Sequence, residues 1–211
     1  MGSKLAIFDY DGVIVDSLSH NLAVVRQVCE AVGASVFPDV EYCRTARCIS
    51  FEEWARHIGM TGSQTSDFVR MVHAELTETT HDLQSFADIP QMFEQLSRNC
   101  KCALITANVL AAAKRFLDQN HLSKFFSALS GAETPGAKSE KITRLAENAG
   151  YSLSSIYYIG DAGTDVQQGR IAGVRTVAVS WGFQSRERLE EERPDFIVDS
   201  PMELLRVLAI G

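Results

Sequence analysis

The sequence predicts an α/β fold: a Rossmann-like open parallel sheet with helices on both faces, plus an inserted all-helical segment. Three observations predict it. The first apolar run, Lys4 to Phe8, ends in Asp-Tyr-Asp-Gly, which suits a buried strand running into a turn. From Ile89 onward, short apolar runs alternate with amphipathic stretches, the pattern of parallel βαβ units. Between these lies a stretch, residues 16–86, with helical spacing and no convincing strand. A length of 211 residues fits one domain with a modest insertion. The expected division is an α/β core of residues 1–15 and 87–211 and a helical unit of residues 16–86.

After the first strand, Asp16 or Ser17 is placed to cap a helix whose apolar positions Leu18, Leu22, Val25, Cys29 and Val32 recur every three or four residues. Gly33 stops it. Phe51 to Ile58 and Ser66 to Thr77 are further helices. Ile89 to Ser97 reads as a helix, Cys102 to Thr106 as a strand and Val109 to Gln119 as a helix. Phe125 to Leu129 is a weaker strand, and Glu140 to Asn148 a helix ended by Gly150. Then come a strand at Ser155 to Ile159, a helix at Asp165 to Ala172 and a strand at Thr176 to Ser180. A short strand at Phe196 to Val198 precedes a last helix at Met202 to Leu208.

Composition removes several classes of function. Hydrophobic residues at 45% and charged residues at 22% are ordinary for a globular chain and argue against disorder. With 20 basic and 27 acidic residues the net charge is −7 and the pI about 5.2, so no basic surface is expected for nucleic acid. No apolar run approaches the roughly 20 residues that span a bilayer. Asp9 and Asp11 interrupt the N-terminal apolar run that a secretory signal needs, so the expectation is a soluble, cytoplasmic protein without nucleic-acid or membrane partners. The five cysteines (Cys29, Cys43, Cys48, Cys100, Cys102) form no Cys-x-x-Cys pair and read as buried reduced thiols. The five histidines (His20, His57, His73, His81, His121) show no metal-ligand spacing.

In an open parallel sheet, ligands bind beyond the carboxyl ends of the strands. Three such ends here carry acids or hydroxyls: Asp9-Tyr10-Asp11-Gly12, Thr106-Ala107-Asn108, and Gly160-Asp161 leading to Asp165. Lys138 lies between the last two. Four carboxylates at one sheet edge repel each other unless a cation is present. Oxygen donors without His or Cys suit a hard ion such as Mg²⁺. Lys138 supplies a positive charge suited to phosphate, and Thr106 with the backbone N–H groups after it can donate to phosphate oxygens. Each piece alone also has a structural reading, as a turn, a helix cap or a surface charge. The four together, in this order, point to a phosphate site.

On these residues the chain resembles the haloacid dehalogenase superfamily, in its phosphoglycolate phosphatase and β-phosphoglucomutase-like branch. Asp9-Tyr10-Asp11-Gly12-Val13-Ile14-Val15-Asp16-Ser17 is similar to the first motif of that family, Thr106 to the second, Lys138 to the third, and Gly160-Asp161 with Asp165 to the fourth. Residues 16–86 resemble its helical cap, and the tail from Trp181-Gly182-Phe183 to Asp199-Ser200 is similar to phosphoglycolate phosphatase-like members. Lys138 is followed by Ser139 where the family usually has Pro.

The resemblance implies a Mg²⁺-dependent phosphatase of a small phosphorylated metabolite, phosphoglycolate-like. Asp9 would attack phosphorus, and Asp11 would act as general acid and then base. The Asp9 carboxylate, the Asp11 carbonyl and Asp161 would hold the metal. Thr106, Ala107, Asn108 and Lys138 would bind the phosphate, with Asp165 orienting Lys138 or a metal-bound water. Asp11 speaks against dehalogenases, which lack that acid. None of the six lysines falls in the cap, which excludes a Schiff-base cap lysine. Arg44 and Arg47, with Cys48-Ile49-Ser50, resemble the family's specificity loop, which would point into the site when the cap closes; the arginines either bind an anionic group of the substrate or are solvated. His20 or Asn21 stands where mutase-like members carry a histidine. A sugar-phosphate mutase and a non-catalytic binding module on the same fold are the alternatives.

Overall fold

The computed structural model describes residues 4–79 and 83–210; residues 1–3 and His81 lie outside the described residues. Among the described residues six strands form one sheet: β1 Lys4–Phe8, β2 Cys100–Ile105, β3 Phe126–Ser130, β4 Ile156–Gly160, β5 Arg175–Val179 and β6 Phe196–Val198. Their order across the sheet is β3-β2-β1-β4-β5-β6, and every pairing is parallel. The chain therefore winds outward in one direction from β1 through β3 and in the other from β4 to β6. The reversal falls between β1 and β4, where Phe8 is in register with Ile159. That is where an open sheet leaves a crevice.

The period-two alternation of the strands divides the core. Ala6, Phe8, Cys102, Leu104, Tyr157 and Ile159 face one side, packed with α5 (Ile89–Leu96), α6 (Leu110–Gln119) and α10 (Pro201–Ile210). Leu5, Ile7, Ala103, Ile105, Ile156 and Tyr158 face the other, against Ile142 and Ala146 of α7 (Lys138–Ala149). On that side Val166 of α8 (Gly163–Ile171) and Leu189 of α9 (Arg186–Glu191) pack with Ala178. Burial on both faces explains why the strands read as continuous apolar runs.

Between β1 and α5 lie α1 (Leu18–Ala31), α2 (Val40–Thr45), α3 (Phe51–His57) and α4 (Ser63–Thr79). They enclose a core of their own, centred on Val25, Cys43, Trp54, Phe68 and Val72. Two six-residue helices, α2 and α9, are additions to the sequence expectation. Both are too short to show a hydrophobic period, although Asp39 and Ser185 cap them by accepting from Tyr42 N and Arg188 N. A third difference is at α1. Ser17 stands at its N-cap, but its hydroxyl makes no cap and donates instead to Asp11 Oδ1. Helices α7 and α8 begin two residues earlier than expected, which makes Lys138 the first residue of α7 and Asp165 part of the first turn of α8. All five cysteines are unpaired; four are buried and Cys48 is half-buried. Among the described residues no helix is long and apolar enough to cross a membrane.

Candidate active site

Asp9 follows β1 directly, held in place by its N–H donating to Ile159 O on the neighbouring strand. Its side chain is 10% exposed; Oδ1 accepts from Tyr10 N at 2.8 Å and Oδ2 from Lys138 Nζ at 2.6 Å. Lys138 reaches this point from the start of α7 and also donates to Asp165 Oδ1 at 2.7 Å. Asp165 is fixed twice more, by Tyr158 OH at 3.1 Å and by the Ala162 N–H at 3.2 Å. One ammonium thus ties the end of β1 to the first turn of α8.

Asp161, two residues before α8, accepts from Phe183 N through Oδ2 at 2.7 Å. Two glycines make room for it. A Cβ at Gly12, whose φ is +73°, would lie 1.9 Å from Asp161 Oδ2, and one at Gly182 would lie 2.3 Å from Asp161 Cβ. No larger residue fits at either position without moving the carboxylate. Carboxylate oxygens of Asp9, Asp161 and Asp165 come within 4.8 Å of one another.

Asp11 sits in the turn after Asp9, its Oδ1 accepting from Ser17 Oγ at 2.7 Å and Asn21 Nδ2 at 3.3 Å. At the end of β2, Thr106 is buried, and its Oγ1 accepts from the Asn108 N–H at 2.9 Å. The Val109 N–H goes to Asn108 Oδ1 at 2.8 Å. The backbone N–H of Asn108, expected to face phosphate, is therefore already committed. Ala107 and Asn108 are the residues this loop brings to the cavity.

Burial dominates the electrostatics. It pushes the Asp9 carboxyl up to about 7, against the opposing pull of Lys138, and raises Asp11 against hydrogen bonds from Ser17, Asn21 and Asn108. Asp161 is pushed well up, by burial first and then by the charges of Asp165 and Asp9. Burial works against the Lys138 charge, but Asp165 and Asp9 outweigh it and hold its pKa well above the ordinary lysine value. A divalent cation among Asp9 and Asp161 would reverse the penalty on both. The donor set fits one: the donors are oxygens only, and among the described residues the protein bonds Asp161 through Oδ2 alone. Asp165 has both oxygens engaged by the protein, so it fits a supporting role.

Asp9, Asp11, Asn21, Ala107, Asn108, Lys138, Asp161 and Asp165 line one cavity of about 110 Å³. Its far wall comes from the helical unit: Ile49, Ser50, Phe51, Glu52, Trp54 and His73. Ile49 and Ser50 fall in the segment that resembles the family's specificity loop; Phe51, Glu52, Trp54 and His73 are the part of the wall that sequence reasoning missed. The arginines expected there lie elsewhere: Arg44 and Arg47 are exposed and do not line the cavity. Their backbone is what meets the core. Ser185 N donates to Arg44 O at 3.1 Å, Gln184 Nε2 to Ala46 O at 2.5 Å and Arg188 Nη2 to Arg47 O at 3.4 Å. His20 turns away to Thr79 Oγ1, 3.1 Å from its Nε2, while its neighbour Asn21 is the one on Asp11. On the far wall, Trp54 Nε1 and His73 Nε2 are buried with no hydrogen-bond partner, each at a cost of about 1–3 kcal/mol.

Residues 6–179 match the haloacid dehalogenase-like hydrolase family. The chain is 27% identical to the phosphoglycolate phosphatase of Synechococcus elongatus over 203 residues, covering 96% of this chain and 95% of that protein. It is 23% identical to the phosphoglycolate phosphatase of Aquifex aeolicus, covering 97% and 96%. A haloacid dehalogenase-like hydrolase of Streptococcus pneumoniae has a similar fold, with a TM-score of 0.85 at 23% identity over 97% of this chain and 98% of that one. The family match runs from β1 to the end of β5, and by it this chain belongs to the haloacid dehalogenase-like hydrolase family.

Proposed function

We propose that the protein is a Mg²⁺-dependent phosphatase of small phosphorylated metabolites, working in the cytoplasm through a phosphorylated Asp9. The observation that carries this reading is the convergence of Asp9, Asp11, Lys138 and Asp161 on one cavity. Asp9 attacks phosphorus as its bond to the leaving oxygen breaks, and Asp11 gives that oxygen a proton. Water then attacks the phosphorus of the aspartyl phosphate; Asp11 takes the water's proton, and the Asp9 carboxylate returns as phosphate leaves. The upward push of burial on Asp11 suits a group that must first carry a proton.

Lys138 stands on the Asp9 oxygen and neutralises the transferring group, and Asp165 and Tyr158 keep it there. Thr106 shapes the loop that offers Ala107 and Asn108 to the phosphate. Asp9, the Asp11 carbonyl and Asp161 would hold Mg²⁺, which when bound offsets repulsion between Asp9 and the phosphate. The helices α1 to α4 act as a cap that keeps bulk water from the cavity. The names of the relatives make phosphoglycolate a candidate substrate.

Water is the final acceptor. A mutase holds a doubly phosphorylated intermediate, and Lys138 is the one cationic side chain among the described lining residues. The test is phosphate release from a panel of phosphomonoesters, with Mg²⁺ and with chelator. Mg²⁺-dependent release is expected, and release that ignores the chelator would contradict the metal assignment. With β-glucose 1-phosphate and catalytic glucose 1,6-bisphosphate, glucose 6-phosphate forming faster than phosphate would overturn the choice of water.

A further inference from the structure

The cavity is asymmetric in charge. Its core side carries the acids and Lys138, and Lys138 is already shared between Asp9 and Asp165. Its cap side is built from Ile49, Ser50, Phe51, Trp54 and His73, with the exposed Glu52 at the rim; the Ser50 hydroxyl already accepts from Glu53 N. Burial holds His73 below the ordinary histidine value, against the opposing pull of Glu52, Glu133 and Asp11. Among the described lining residues, the cap side offers no positive charge to a leaving group. It does offer Trp54 Nε1–H, a donor only, and His73 Nε2, a donor or an acceptor by tautomer, both buried and unpartnered. A volume of about 110 Å³, far below a drug-sized site, suits a group of a few heavy atoms.

We propose that the leaving group of the preferred substrate is a small uncharged alcohol with a second hydroxyl or carbonyl oxygen, recognised by Trp54 and His73. This rests on the phosphatase reading above and narrows it. A hydroxyl suits the pair, since it accepts from the indole and either accepts from or donates to the imidazole. A carboxylate in the same place has no cation to pair with and meets Glu52 at the rim. Phosphoglycolate is therefore a poor substrate of this chain, despite the names of its relatives. Specificity here comes from the helical wall, where a few contacts decide between substrates of equal size.

The experiment compares kcat/KM of the full chain on 2-hydroxyethyl phosphate, ethyl phosphate and phosphoglycolate, which share a two-carbon skeleton. The expected order places 2-hydroxyethyl phosphate about tenfold above phosphoglycolate. Trp54→Phe keeps an aromatic ring and removes the N–H; it should lower the ratio of kcat/KM for 2-hydroxyethyl phosphate to that for ethyl phosphate several-fold. Glu52→Lys, an exposed charge reversal, should raise phosphoglycolate relative to 2-hydroxyethyl phosphate by about threefold or more. Phosphoglycolate turned over as fast as the neutral ester, or both variants leaving the ratios unchanged, would overturn the proposal. If the folded protein hydrolyses none of these esters, nor p-nitrophenyl phosphate, in an Asp9-dependent way, the phosphatase reading falls first and takes this inference with it.

Discussion

Gln184 joins the two halves of the molecule, and replacing it tests whether the seat of the helical unit on the core is built as described. The residue is 1% exposed; Oε1 accepts from Gly163 N at 2.6 Å and Nε2 donates to Ala46 O at 2.5 Å. Gln184→Met keeps the length of the side chain and removes both polar atoms. The buried Gly163 N–H then loses its acceptor, at about 1–3 kcal/mol, while the half-buried Ala46 carbonyl regains water for a smaller loss. The expected total is roughly 2–3 kcal/mol, which for a chain of this size lowers Tm by about 4–12 °C. Thermal unfolding followed by circular dichroism measures it. Because the central one of three bonds to the Arg44–Arg47 backbone is lost, KM should also rise more than kcat falls. A Tm within about one degree of the parent, with unchanged KM, would refute this account of the interface.

Four further outcomes are expected. Asp9, Asp11 and Asp161 bind protons more tightly folded than unfolded, so the stability they contribute is full below the unfolded value of 3.8 and is lost as pH rises through about 7, the Asp9 value. Metal-free protein should therefore melt lower at about pH 7.5 than at about pH 5.5, and Mg²⁺ should restore the loss at the higher pH; a Tm that is flat with pH and indifferent to Mg²⁺ would contradict the buried carboxylate cluster. Gly12→Ala places a methyl against Asp161 and should weaken Mg²⁺ activation by about tenfold or more, read as the Mg²⁺ concentration for half-maximal rate. Lys138→Met should abolish turnover while Tm falls, because two buried carboxylates lose their shared partner; activity within tenfold of the parent would remove Lys138 from the phosphate site. Arg47→Ala should leave kcat and KM within about twofold, since the backbone rather than the guanidinium meets the core; a large rise in KM would return the arginine to the cavity.

Much of this architecture is legible in the residues. Strands buried on both faces announce themselves as apolar runs, and the acids that follow Phe8 and Gly160 are carried by those strand ends, so finding the strands finds Asp9, Asp11 and Asp161. Lys138 and Asp165 are legible as residue types, but their shared bond is not, because it depends on how α7 and α8 pack. Most of the helical wall was hidden for the same reason. Phe51, Trp54 and His73 look like core positions of helices, and only the seating of α3 and α4 over the sheet edge turns them to the cavity, whereas Ile49 and Ser50 are legible through the resemblance to the specificity loop. Ser17 shows the opposite failure: its sequence context signals a helix cap, while the folded chain uses the hydroxyl to hold Asp11. Arg44 and Arg47 fall where charge suggested recognition, yet a helix end leaves their side chains in solvent and presents their carbonyls instead.

The central claim is that Asp9 is the nucleophile of a phosphatase, and Asp9→Asn tests it most directly. The amide has almost the same shape; its one oxygen can still accept from Tyr10 N, and Lys138 keeps its bond to Asp165, so the fold should persist. It is also a very poor nucleophile. The measurement is single-site: kcat/KM for p-nitrophenyl phosphate in Mg²⁺, for parent and variant, each with its circular dichroism spectrum and Tm. The account predicts a loss of about a thousandfold or more with a native spectrum. A folded Asp9→Asn protein that turns over at close to the parent rate would contradict it.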